Sequence, residues 1–283
     1  MEITPAQLVN DVKGIVSLPS ACVRINEIVD DPNSSLDDIG KIVAQDPALT
    51  LRILKIANSP FYGLSKQIET VNRAVSVLGT TQLRDLVLAT SAVQTFDGIP
   101  NELITMDDFW RHSIACGIAA RELGKLVMRN RADALFVAGL LHDIGQLVMF
   151  NKLPEESKQV LLYALEGTEN EDVFSAEIHL LGFTHCDVGA ELVRDWNLPP
   201  LYQECIEFHH TPEKATQFSK EVALIHIAHM VACLEEIDST DEVDMLDVKD
   251  EAWEITGLSK TDIPPIIEAV HSQIPDAMAS FLS

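Results

Sequence analysis

A chain of 283 residues with 47% hydrophobic side chains can bury one large core or two modest ones, and its composition does not favour disorder. Its 44 acidic residues outnumber 20 basic ones, and the formal charge of −24 repels phosphate backbones and leaves no basic stripe for an anionic membrane. Nucleic acid and membrane surfaces are therefore excluded as partners, and an anionic ligand would need its charge offset locally, most simply by a bound cation.

The segment Met1–Gly14 has no basic flank, apolar run or cleavage site, and no stretch of about 18 apolar residues free of charge is evident, so the expected location is the cytoplasm. The five cysteines are odd in number, widely spaced and without a CxxC pair, as reduced core thiols would be.

Short, punctuated helices fill residues 1–105. Pro5 opens a first helix with Leu8, Val12 and Ile15 on one face, which Leu18-Pro19 ends, and Val23 to Val29 forms the next. After a turn at Asp30–Ser34, Ser34 or Ser35 caps a helix with apolar Leu36, Ile39, Ile42 and Val43. Asp46 as cap and Pro47 at the first helical position start ALTLRILKIAN. An aromatic turn, Asn58–Gly63, follows; Thr70 opens a further helix, Gly79 closes it, and Thr80 to Val93 restarts at once. No strand-like alternation is present, so the expected class is all-α. Phe96 to Asp108 is rich in turn formers and acids, which places a subdomain boundary there.

The second part, residues 106–235, begins with FWRHSIACGIAARELGKL and His112 near its start. Ala132 to Phe150 reads as a helix of about five turns that is apolar on nearly every side, with His142-Asp143 at its centre. Burying imidazole and carboxylate together costs several kcal/mol unless both find partners. A divalent cation would satisfy the two at once; so would a metal-free arrangement in which His142 bonds a carbonyl and Asp143 caps a neighbouring helix. Further along, Thr184 caps a helix with His185 in its first turn and Asp187 three residues on, and the helix LYQECIEFHH ends in His209-His210. VALIHIAHMVACLEE then places His226 and His229 one turn apart. Residues 236–283 comprise an acidic surface segment and C-terminal helices.

The run LPSACVRINEIVDDPNSSLDDIGKIVAQDPALTLRILKIANSPFYGL, followed by AVSVLGTTQLRDLVL, resembles the N-terminal signature of HDOD-domain proteins, bacterial signalling modules related to the HD superfamily of metal-dependent phosphohydrolases. The likeness extends from about Leu18 to about His210 and implies an N-terminal helical subdomain packed on an HD-type helical core. It also implies a metal site: His112 and His142-Asp143 stand at the positions of a first set of ligands, and His185, His209 and His210 at those of a second.

Where related proteins carry an aspartate, this chain has His229, an exchange that removes a negative charge and moves the expected metal toward iron, nickel or zinc, with manganese also in range. The resemblance implies a signalling protein as partner and a degenerate site. The alternative is a working phosphohydrolase on a nucleotide or other phosphoester. Cyclic di-GMP is not the expected substrate, because TPEKATQF after His210 lacks the glycine-tyrosine-proline segment of the relatives that hydrolyse it.

Overall fold

The structure is a computed structural model that describes residues 3–29, 31, 34–60, 62, 67–97, 102–166, 172–236 and 246–282. The turn at Asp30–Ser34, the aromatic turn, the break after Phe96 and the acidic stretch beyond Glu235 fall partly outside them. Every regular element among the described residues is helical. The first half contains α1 (Pro5–Val12), α2 (Ser20–Val29), α3 (Leu36–Ala44), α4 (Pro47–Ala57), α5 (Val71–Leu78) and α6 (Thr80–Thr95). Caps set these boundaries. Ser35 and Asp38 form a reciprocal capping box on α3, Asp46 accepts from the Leu49 amide ahead of α4, Thr70 caps α5, and Gly79 turns the chain with φ 87°. The first helix is shorter than its apolar spacing suggests: α1 ends at Val12, and Ile15 is 54% exposed.

The second half contains α7 (Met106–Val127), α8 (Ala132–Leu141), α9 (Ile144–Lys152), α10 (Pro154–Glu166), α11 (Val173–Leu181), α12 (His185–Asp195), α13 (Pro200–Phe208), α14 (Ser219–Glu236), α15 (Asp250–Thr256) and α16 (Pro264–Phe281). One apolar cluster runs through both halves, from Leu8 to Phe281. α7 is its axis, with α8, α14 and α16 packed along it. Polar links tie the halves together: the Trp196 indole N–H donates to the Val16 carbonyl at 3.1 Å, and the Tyr202 hydroxyl donates to buried Asp85 at 2.8 Å.

The apolar stretch Ala132–Phe150 differs from the single helix its composition suggests. α8 stops at Leu141 and α9 starts at Ile144, so His142-Asp143 forms the joint between them. The cause is local. The His142 imidazole Nδ1–H donates to the Gly139 carbonyl at 2.7 Å, satisfying a carbonyl at the end of α8, while Asp143 leaves helical geometry at φ −100°, ψ 10°. By length and composition Arg129–Lys152 passes for a membrane span, yet 89% of its apolar window is buried in this core.

Two glycine contacts fix the approach of the helices that meet at this joint. A Cβ on Gly139 would lie 2.8 Å from Gly117 Cα, so α8 crosses α7 with backbone against backbone. A Cβ on Gly145 would run into the His185 carbonyl and lie 2.6 Å from the Gly189 amide, which brings α9 equally close to α12.

Candidate metal centre

Five helix ends and helix faces deliver side chains to one buried point, Asp143, which is 4% exposed. His142 and His209 arrive by the same device. Each follows the C-terminus of its helix and donates Nδ1–H to the carbonyl three residues back, His142 to Gly139 at 2.7 Å and His209 to Ile206 at 2.8 Å. His185 opens α12, where Glu177 Oε2 accepts both its backbone N–H at 2.9 Å and its Nδ1–H at 2.7 Å. A carbonyl or carboxylate oxygen can only accept, so in all three rings Nδ1 carries a hydrogen, and Nε2 is turned inward to bind a metal ion or a second proton.

What those nitrogens face is the carboxylate. Asp143 Oδ2 is 3.1 Å from His142 Nε2 and 3.5 Å from His112 Nε2; Oδ1 is 3.2 Å from His185 Nε2 and 3.4 Å from His209 Nε2. Oδ1 is wholly buried and makes no hydrogen bond. A buried carboxylate facing imidazole nitrogens calls for positive charge beside it, supplied by a metal ion or, in its absence, by second protons on His185 and His209.

The spacing suits a metal ion. Donors held about 2.1 Å from one ion lie roughly 3.0–3.4 Å apart at octahedral or tetrahedral angles. His112 Nε2 lies 3.3 Å from both His142 Nε2 and His229 Nδ1, and the last two are 2.9 Å apart. With Asp143 Oδ2 they make one donor set; His185, Cys186, His209 and His210 make the other. Asp143 offers one oxygen to each.

Protons and metal ions compete for these sites. Burial disfavours charge on His209, but the sulfur of Cys186 and the carboxylate of Asp143 outweigh it and hold its pKa up at about 9; His185 is raised for similar reasons, with Glu177 adding to the pull. Burial dominates at His142, whose pKa falls to about 4, and at His229 and His210, both pushed well below the usual imidazole range. Three imidazoles, those of His142, His229 and His210, are thus ready to ligate without first losing a proton.

A cavity of about 660 Å³ opens on the centre and reaches His112, Asp143, His185, His210 and His229. Its apolar wall includes Phe109, Phe174 and Met230, and the Phe174 ring stacks on His210 with centroids 4.6 Å apart. Asp108, Asp172 and Asp247 line it as well, with Lys249 opposing them.

All seven residues singled out in the sequence, His112, His142, Asp143, His185, His209, His210 and His229, come together here. The metal-free alternative for the His142-Asp143 pair is half met. His142 does bond a carbonyl, but Asp143 makes no capping bond to α9. His226 is saturated elsewhere, donating to the His209 carbonyl at 2.7 Å and accepting from the Lys249 amide at 3.1 Å. Two participants escaped the sequence reading. Glu177, which orients His185, stands among apolar neighbours in VFSAEIHLL. Cys186, grouped above with the core thiols, is buried like Cys22, Cys116 and Cys205, but its Sγ lies 3.5 Å from His185 Nε2.

The comparisons with known proteins agree with this architecture. A structure of a protein from Shewanella amazonensis SB2B, provisionally named a phosphohydrolase, is 25% identical and superposes with a TM-score of 0.75 over 97% of both chains. An HDOD domain protein of unknown function from Geobacter sulfurreducens is 26% identical, with a TM-score of 0.75 over 98% of this chain and 97% of its own. A protein from Marinobacter aquaeolei VT8 named for signal transduction shares the fold at 21% identity, with a TM-score of 0.74 over 97% of this chain and 61% of its own. An uncharacterised protein of Treponema pallidum (strain Nichols) is 26% identical over 228 residues, which is 80% of this chain but only 43% of that protein's length. With the HDOD domain matched across residues 15–212, over the N-terminal helices and the joint that carries His142 and Asp143, this chain belongs to the HDOD family.

Proposed function

We propose that the chain is a cytoplasmic signal-transduction module organised around a bound divalent metal centre and acting through contacts with a partner protein. The observation that carries the metal is the convergence of three Nε2 atoms, each fixed by an Nδ1 bond, on the buried Asp143 carboxylate. His112, His142, His229 and Asp143 Oδ2 would hold one ion; His185, His209 and Asp143 Oδ1 would hold a second, with His210 beside it. A donor set of imidazoles sharing one carboxylate suits iron, nickel or zinc, with manganese next, better than magnesium or calcium. Such ions supply Lewis acidity and offset the charge of a phosphoryl group.

The cavity wall favours regulation over turnover of polyphosphates. Asp108, Asp172 and Asp247 oppose an anionic ligand, and the Lys249 ammonium lies 3.4 Å from Glu213. A second reading, hydrolysis of a nucleotide or other phosphoester, is favoured by one observation: the cavity leads directly to both donor sets. The provisional name of the Shewanella amazonensis protein points the same way.

The two readings separate in a phosphoesterase screen of the chain loaded in turn with zinc, iron, nickel and manganese. The regulatory reading expects turnover well under about 1 per second on every phosphoester, cyclic di-GMP included. A rate within the enzymatic range of roughly 1–10³ per second on any of them would make the chain a phosphohydrolase instead.

A further inference from the structure

We infer that His226 is a positioning residue for the second metal position, fixing through the His209 carbonyl the turn that carries His209 and His210. The inference rests on the metal reading above and gives a role to a histidine of the cavity wall that neither donor set includes. His226 Nδ1–H donates to the His209 carbonyl at 2.7 Å, and Nε2 accepts from the Lys249 amide at 3.1 Å. A carbonyl only accepts and an amide N–H only donates, so both partners demand the same tautomer. The result is a neutral ring satisfied on both sides and buried at 3% exposure.

The first of these bonds holds the peptide unit between His209 and His210. That unit is planar and includes both Cα atoms, so an anchor on its oxygen orients the base from which each imidazole projects. α13 ends one residue earlier, at Phe208, where carbonyls lack partners within their own helix. The His209 ring is fixed separately, by its Nδ1–H bond to Ile206. Loss of His226 would leave that ring bond in place but strip a buried carbonyl of its donor, and the turn would shift to find another. His226 itself stands on a rigid element. It lies within α14, three residues before His229, whose Nδ1 belongs to the first donor set. α14 therefore serves both positions, one through a ligand and the other through a backbone bond.

Calorimetric titration of zinc into the metal-free full chain tests this with two variants that each keep one of the two bonds. His226→Asn places an amide N–H close to where Nδ1 stood and can still donate to His209, but it is too short to reach Lys249. His226→Gln carries its amide out to the distance of Nε2 and can serve Lys249 in place of His209. One zinc-binding step should weaken by roughly 10–100-fold in His226→Gln, as on losing an outer-shell partner, while the other stays near its wild-type value. His226→Asn should keep both steps near wild type. Because each variant forgoes one hydrogen bond, the two should show the same helical circular dichroism and melt at similar temperatures in chelator while differing in zinc affinity. That split is one a purely structural histidine would not produce. His226→Asn binding zinc no tighter than His226→Gln, or both steps weakening together in His226→Gln, overturns the role of His226 and leaves the metal centre standing. Wild type that takes up no zinc overturns both.

Discussion

Asp143→Asn should destabilise the metal-loaded protein by about 3–5 kcal/mol, the usual cost of removing one member of a buried charged set. For a chain of this size that corresponds to a fall in melting temperature of roughly 6–20 °C. The carboxylate sits between two groups of imidazoles, with Oδ2 3.1 Å from His142 and Oδ1 3.2 Å from His185, so the neutral amide weakens both metal positions together. Its effect should therefore be conditional. In the presence of a strong chelator wild type loses the same stabilisation, and the gap between the two proteins should narrow. Calorimetric melts of both proteins, with and without chelator, read this directly. A gap of unchanged size in chelator would mean that Asp143 serves the fold through hydrogen bonds alone.

Gly145→Ala should be the most damaging single methyl in the second half of the chain. The added Cβ meets backbone, the His185 carbonyl and, at 2.6 Å, the Gly189 amide, and neither can rotate away as a side chain would. α9 and α12 must separate, at a cost of about 1–3 kcal/mol or more. Because His185 rides on the displaced segment, the second metal position should weaken while the one formed by His112, His142 and His229 is largely spared. Gly14→Ala, where a Cβ meets nothing within 4 Å, is the control. Urea unfolding and zinc titration of the two variants check the difference. A Gly145→Ala protein as stable as Gly14→Ala would show that the helix contact is looser than the structure has it.

The fold was legible because its punctuation is chemical. Ser35, Asp46, Thr70, Gly79 and Thr184 mark helix ends by groups that bond free amides or adopt a positive φ, and each does so in the structure. His209 was visible at the end of its helix, and His142 as a polar residue inside an apolar segment, although the structure puts each one residue past a helix end. What misled was apolarity. Ala132–Phe150 is apolar throughout, and periodicity carries no information about a break inside a segment buried on all sides; the break depends on an imidazole taking the Gly139 carbonyl. α11 inverts the usual rule. It buries Glu177 at 3% exposure and leaves Ile178 at 51% and Leu180 at 41%, so nothing in the apolar pattern marked the acid that orients His185. Cys186 was hidden for a related reason, since a thiol in an apolar context reads the same whether it packs among apolar groups or against imidazoles.

The central claim is that the buried imidazoles and Asp143 are held together by a metal ion. The direct measurement is elemental analysis of the purified chain, followed by melting before and after complete removal of metal by a strong chelator. The account predicts one or two equivalents of a first-row divalent metal and a clear fall in melting temperature on its removal, while the melt of His142→Ala, which keeps only the position of His185 and His209, should respond less to chelator. A chain that contains no metal and takes none up, or that melts at the same temperature once demetallation has been verified, would contradict it.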